Sequence, residues 1–172
     1  MLRGINYSQK CWRGFTPRWS STPLSGEGAR LYEGRWNPKG MEALYLAENF
    51  STAYKEYQNE LPDHPCLILS YQVCIDGIVD FCNEEVRERA NISLRTMYCE
   101  WKYIFLVEKK DPPTWEIVRN LYNDGVAGIR VPSTRDIGGV NIVLWRWNDH
   151  PSRVVTYSDP RRDLPKDQSS FE

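Results

Sequence analysis

The chain has 172 residues, 41% hydrophobic and 26% charged, with a net charge of −1, a balance that describes one globular domain needing no disulfide or metal staple. Its longest apolar runs, such as Cys66-Leu67-Ile68-Leu69, are strand-sized and exclude a membrane-spanning helix, which takes about 20 apolar residues. Five cysteines with no CxxC pair, and a start (MLRGINYSQK) without an apolar targeting core, point to a reducing cytoplasm.

Charge is unevenly placed. Residues 1–40 carry seven Lys/Arg and two acids, a local +5 that leaves −6 for the remainder. Interleaved with Trp12, Trp19, Tyr32 and Trp36, this stretch suits an anionic, ring-bearing partner. A compact nucleotide fits that charge. Direct nucleic-acid binding is not expected, because a duplex surface calls for more positive charge.

Residues 14–42, punctuated by Gly and Pro, read as a binding loop. Ala43–Ala47 reads as a short strand. Asn49 is placed to cap a helix whose apolar positions Phe50, Ala53, Tyr54, Tyr57 and Leu61 follow helical spacing. Glu56 lies about 100–120° from the centre of that stripe, at its edge, where it could line a cleft. Residues 66–75 form a strand, followed by a turn at Gly77 and a short extended piece, Ile78–Phe81. Residues 84–110 show no clear period. Asp111-Pro112-Pro113 starts a helix carrying Trp115, Ile117, Val118 and Leu121, which ends near Asn123-Asp124-Gly125. Strands at 126–131 and 140–147 flank a loop, and the polar tail from Ser158 is expected to be poorly ordered. The domain thus spans 1–157 and the tail 158–172. Strands outnumber helices without regular alternation, so the fold class is α+β with mostly antiparallel sheet and flanking helices.

The sequence carries no GxxxxGK[ST] loop and no strand–GxGxxG–helix unit. His64 and His150 share no ligand spacing and join no nucleophile motif, so no metal site is expected. What remains is Gly34-Arg35-Trp36-Asn37, Tyr45, Glu56 and Pro132-Ser133. A guanidinium forks onto phosphate oxygens, a tyrosine ring stacks on a heterocycle, and a carboxylate stabilises a developing sugar cation. These parts suit cleavage of an N-glycosidic bond in a dinucleotide. Singly, each has a plainer reading: Arg35 as a surface ion pair, Tyr45 as a core ring, Glu56 as an exposed helix residue, Ser133 as a turn former.

The run from Leu24 to Gly40, with Gly34-Arg35-Trp36-Asn37 at its centre, closely resembles the signature of the RES domain. So do Tyr45-Leu46-Ala47-Glu48, the following Ala53-x-x-Glu56, and Gly128-Ile129-x-Val131-Pro132-Ser133. The resemblance spans about residues 11–147. It places the family's arginine, glutamate and serine on Arg35, Glu56 and Ser133, its active-site tyrosine on Tyr45, and its early arginine on Arg13. Glu33 stands where the family usually has a second glycine, and 84–110 carries no matching motif.

The resemblance implies a compact fold similar to ADP-ribosyltransferases and a toxin that depletes NAD. The nicotinamide–ribose bond would be cleaved by water, or by inorganic phosphate as co-substrate, with no separate cofactor. Arg35 and Arg13 would hold phosphate, within a substrate site that includes Trp36 and Asn37. Tyr45 would stack on nicotinamide and Glu56 would stabilise the oxocarbenium-like transition state. Ser133 would orient either Glu56 or a substrate phosphate. The implied partner is an Xre-like helix-turn-helix antitoxin that occludes the site, with a homodimer inside that complex left open. Two further readings stand beside this one: ADP-ribosyl transfer to a macromolecule, and a non-catalytic nucleotide-binding module.

Overall fold

The structure is a computed structural model describing residues 2 and 4–169. Arg3 of the basic segment and residues 170–172 of the expected tail lie outside the described residues. Six strands make one sheet: β1 (Ile5–Phe15), β2 (Leu44–Ala47), β3 (Leu67–Asp80), β4 (Gly128–Pro132), β5 (Val140–Leu144) and β6 (Arg153–Tyr157). The order is β1-β2-β5-β4-β3-β6, and β1 also pairs with β3, so the first five strands close into a ring. All pairings are antiparallel except β3 with β4. The fold is α+β, with a mixed, mostly antiparallel sheet.

The longest pairing joins β1 to β3, from Ile5 opposite Ile78 to Phe15 opposite Leu67. The expected turn at Gly77 is instead a kink within a continuous strand. Gly77 takes a φ of +94°, which glycine adopts without a Cβ penalty, and β3 runs on to meet β4 at Ile78, Val79 and Asp80. Where these strands end, Arg130 pairs with Glu48 at 2.7 Å and Asp80 at 3.2 Å, and the Tyr7 hydroxyl donates to Glu48 at 3.1 Å.

Alternation along the strands separates two apolar clusters. Leu44, Leu46, Ile142 and Leu144 join Tyr7, Cys11, Tyr71, Val73 and Ile75 on one face. Tyr45 and Val143 point the other way, towards Trp36, Phe81, Met97, Val118 and Leu121. That second face is covered by short helices: α1 (Glu27–Leu31), α3 (Glu84–Ala90), α4 (Leu94–Met97), α5 (Trp101–Leu106) and α6 (Pro113–Asn123). Pro113 opens α6 as expected, and Trp115, Val118 and Leu121 are its buried face. Residues 84–110 resolve into three helices of seven, four and six residues, the first two capped by Asn83 and Ser93. None is long enough to establish a period in sequence.

Helix α2 (Phe50–Glu60) begins at Asn49, whose side chain accepts the Thr52 N–H at 2.8 Å. It packs across β1, where a Cβ on Gly14 would lie 2.9 Å from the Tyr57 Cβ. Its buried residues are Thr52, Ala53 and Tyr57, whereas Phe50 and Tyr54 are 56% and 46% exposed. The buried stripe is therefore rotated from the apolar spacing, towards Glu56. Beyond β6 the chain continues in contact with the sheet: the Ser158 N–H donates to the Ser70 carbonyl at 3.0 Å, and Asp159 accepts the N–H groups of Asp163 and Leu164.

Gly128 begins β4 opposite Leu144 of β5, and a Cβ there would overlap the Val143 carbonyl oxygen. Gly128→Ala should cost about 1–3 kcal/mol through overpacking against backbone. In thermal denaturation that lowers Tm by roughly 2–10 °C for a domain of this size. Gly28→Ala, on a helix with no atom within 4 Å of the added carbon, should leave Tm unchanged or raise it.

Candidate active site

The Gly34-Arg35-Trp36-Asn37 segment is a tight turn closed by reciprocal backbone hydrogen bonds between Gly34 and Asn37, at 2.9 and 3.3 Å. The Asn37 side chain is 1% exposed. Its amide donates to the carbonyls of Ala29 at 2.7 Å and Tyr32 at 3.2 Å, and its oxygen accepts the Tyr45 hydroxyl at 2.7 Å. The Trp36 ring is buried in the second cluster, while the Trp36 backbone N–H donates to the Tyr45 hydroxyl oxygen at 3.1 Å and the Trp36 carbonyl accepts the Trp145 indole N–H at 2.9 Å. The Gly34 carbonyl accepts the Trp115 indole at 2.8 Å. Tyr45 is thus the latch of the turn. Burial pushes its pKa above the ordinary tyrosine value, so it stays a protonated donor.

Arg35 is the side chain that this turn leaves outside. Its Nη1 donates to the carbonyls of Met97 at 2.9 Å and Cys99 at 2.6 Å. Among the described residues no carboxylate pairs with it. Burial pulls its pKa below the usual arginine value, and the positive charge of Arg135 acts in the same direction. A guanidinium nonetheless keeps its proton in proteins. A half-desolvated cation with free N–H groups is a ready anion site.

Glu56 extends from α2 towards the ends of β4 and β5. Its Oε1 accepts two hydrogen bonds, from the Ser133 hydroxyl at 2.6 Å and from the Asn141 Nδ2 at 2.6 Å. Ser133, 8% exposed, also accepts the N–H groups of Arg135 and Asp136, both at 3.0 Å. Its one donor and two lone pairs are all used. The loop it begins is fastened to α2 a second time, because Asp136 accepts the Thr52 hydroxyl at 2.6 Å and pairs with Lys55.

The structure therefore sets Arg35, Tyr45, Glu56 and Ser133 on one face of the sheet, and draws Ser133 to Glu56. Trp36 and Asn37 are spent on the turn itself. Arg13 is set apart: it shares a strand face with Cys11 and Phe15, and its Nη1 donates to the carbonyls of Pro23 at 3.1 Å and Ser25 at 3.3 Å. Burial lowers its pKa, with Tyr71 acting in opposition. Asn141 escaped the sequence reading, although it is the polar residue within Val140-Asn141-Ile142-Val143-Leu144, and a polar side chain in a core strand calls for a partner. Among the described residues no group of three or more His, Cys, Asp or Glu side chains converges on a metal position.

A family model for the RES domain matches residues 10–167. No curated protein matches the chain. Among solved structures, the chain is similar to the crystal structure of the M. tuberculosis MbcT–MbcA toxin–antitoxin complex, with a TM-score of 0.67 and 21% identity over 91% of this chain and 87% of that one. At that identity the likeness establishes the fold.

Tyr45→Phe would leave the Trp36 N–H and the Asn37 oxygen without their partner. An unsatisfied buried polar group costs about 1–3 kcal/mol, so thermal unfolding should shift down by several degrees. Tyr54→Phe, on the exposed side of α2, should melt with the wild type.

Proposed function

The chain belongs to the RES-domain family, and on that premise we propose that it is the toxin of a toxin–antitoxin pair that depletes NAD by cleaving the nicotinamide–ribose bond. The observation that carries the reading is a carboxylate with one oxygen fixed and the other, among the described residues, free of protein hydrogen bonds, set on the same face as an arginine that no described carboxylate pairs. Arg35 grips the diphosphate of NAD, held for that task by the Met97 and Cys99 carbonyls. The Tyr45 ring, its hydroxyl committed to the turn, offers its surface to nicotinamide. Trp36 and Asn37 hold the turn, and Arg13 holds the neighbouring Pro23–Ser25 stretch.

Cleavage breaks the bond between the ribose anomeric carbon and the nicotinamide nitrogen. Both bonding electrons leave with nicotinamide, which turns from a cationic ring into a neutral one. The positive charge passes to the ribose, where the Glu56 carboxylate stabilises it and accepts hydrogen bonds from the ribose hydroxyls. Water then adds to the anomeric carbon and releases a proton, giving ADP-ribose. Inorganic phosphate at the same carbon gives the 1-phosphate instead. NAD is the substrate in this scheme and no further cofactor enters it.

The fold's likeness to a toxin–antitoxin complex supports a protein partner, which we take to be a helix-turn-helix antitoxin in the same cytoplasm as the NAD pool. Among the described residues no helix is long and apolar enough to cross a membrane.

Expression without the antitoxin should arrest bacterial growth as cellular NAD falls, and co-expression of the antitoxin should restore both. Arrest at constant NAD would favour ADP-ribosylation of a macromolecule, to be read by label transfer from NAD. No arrest and no turnover would leave a nucleotide-binding module.

With purified protein, Glu56→Gln should fold normally and lose NAD turnover by about a hundredfold or more, the size of one transition-state electrostatic contact. Arg35→Ala removes hydrogen bonds to a charged group, about 1.5–3 kcal/mol, and should lower kcat/KM by roughly ten- to a hundredfold. Arg35→Lys, which keeps charge without the planar fork, should recover part of it. Arg30→Ala is the control, because Arg30 is an exposed partner of Glu27. Full kcat/KM in a folded Arg35→Ala protein would remove this turn from the anion site.

A further inference from the structure

We propose that Asn141 is a positioning residue for Glu56: with Ser133 it fixes Oε1, so that Oε2 alone is presented to the ribose. The identity of the substrate rests on the NAD reading above, whereas the contact rests on geometry. Asn141 lies on β5 with Ala47 of β2 and Val131 of β4 as its cross-strand neighbours. Both are apolar, and an aliphatic side chain between them would serve a purely structural purpose better than an amide. The amide instead reaches α2, with Nδ2 2.6 Å from Glu56 Oε1. Its orientation follows from chemistry. A carboxylate only accepts, and the flipped amide would set two oxygens against each other at that distance.

Both holders of Oε1 are themselves immobile. Asn141 is locked into the middle of the sheet, between β2 and β4. Ser133 directly follows β4, and the loop it begins is fastened to α2 through Asp136. Two donors from separate segments converge on one oxygen and hold the carboxylate in one orientation, which a half-turn leaves unchanged because the two oxygens are equivalent. Among the described residues Oε2 receives no protein hydrogen bond, and its direction is set before substrate arrives. Such preorganisation favours the transition state over the ground state, so its loss appears mainly in kcat.

The test is a comparison of Asn141→Ala and Asn141→Asp in the full chain. Asn141→Ala should lower kcat for NAD by about tenfold or more while KM changes by less than about threefold. Asn141→Asp has nearly the volume of asparagine but replaces a donor with a second carboxylate, and should be slower still. Were Asn141 merely filling space, the order would reverse, with aspartate close to wild type and alanine worse.

Melting temperatures supply a readout that needs no substrate. Asn141→Asp should lower Tm in the wild-type background and have little effect on Glu56→Gln, whose amide can donate to the new carboxylate. That non-additivity is the signature of a direct contact. Additive losses of Tm, or equal kcat for Asn141→Asp and wild type, would overturn the proposal. Coupled melting temperatures in a protein inert towards NAD would uphold the contact and overturn the NAD reading instead.

Discussion

A carboxylate held half-buried between a helix and a sheet sets the terms for the rest of this structure. Bringing Glu56 against the ends of β4 and β5 removes water from an acid, a cost that must be met by hydrogen bonds. Ser133 and Asn141 supply them, at 2.6 Å each. The rotation of α2 follows. Its apolar spacing would have turned Phe50 and Tyr54 inward, yet both rings are exposed while Thr52 and Glu56 face the protein. The helix forgoes hydrophobic burial worth about 1.5–3 kcal/mol per large side chain in favour of a polar contact. The placement of Thr52 and Glu56 on the inner side is what lets α2 meet Ser133, Asn141 and Asp136.

The turn opposite is built on the reverse principle, in which nearly every polar atom is satisfied internally so that one is not. Gly34, Trp36 and Asn37 have their groups taken up by Tyr45, Trp115, Trp145 and nearby carbonyls. The three aromatic donors come from β2, from α6 and from Trp145 just beyond β5, and they bind the turn to the second core cluster. Arg35 inherits that rigidity. Its own anchors are backbone carbonyls of 97 and 99, which orient a guanidinium without neutralising it. A carboxylate in their place would have paired with the guanidinium and neutralised it.

The residues of the candidate site were legible in the sequence because motif spacing survives where periodicity does not. The α2 and α6 segments and strands β2 to β5 were visible from apolar spacing, Asn49 and Pro113. Strand β1 was not. Of its core-facing side chains only Tyr7, Cys11 and Phe15 are buried, with Gln9 and Arg13 between them, and its strand state comes from pairing with β3 rather than from propensity. Strand β6 was missed for a similar reason, since Val155 is its buried residue. The rotation of α2 was hidden too, because an apolar stripe cannot reveal that two polar donors wait on another element. Asn141 carried a visible signal, a polar residue in a core strand, but not the identity of its partner.

The basic N-terminal stretch shows why charge density along a sequence is not charge density on a surface. Arg13 donates to backbone carbonyls on one side of the sheet, Arg35 to others on the opposite side, and Arg30 is paired with Glu27 one helical turn away. Lys10 lies over the Trp12 ring at 5.5 Å. The positive charge of these four side chains is therefore dispersed, with Arg13 and Arg35 holding loop carbonyls on opposite sides of the sheet. An extended polyanion would meet no continuous basic face in these four residues. A small anion needs only one guanidinium with a fixed direction, and Arg35, held through Nη1 by two carbonyls and paired with no carboxylate among the described residues, has that arrangement.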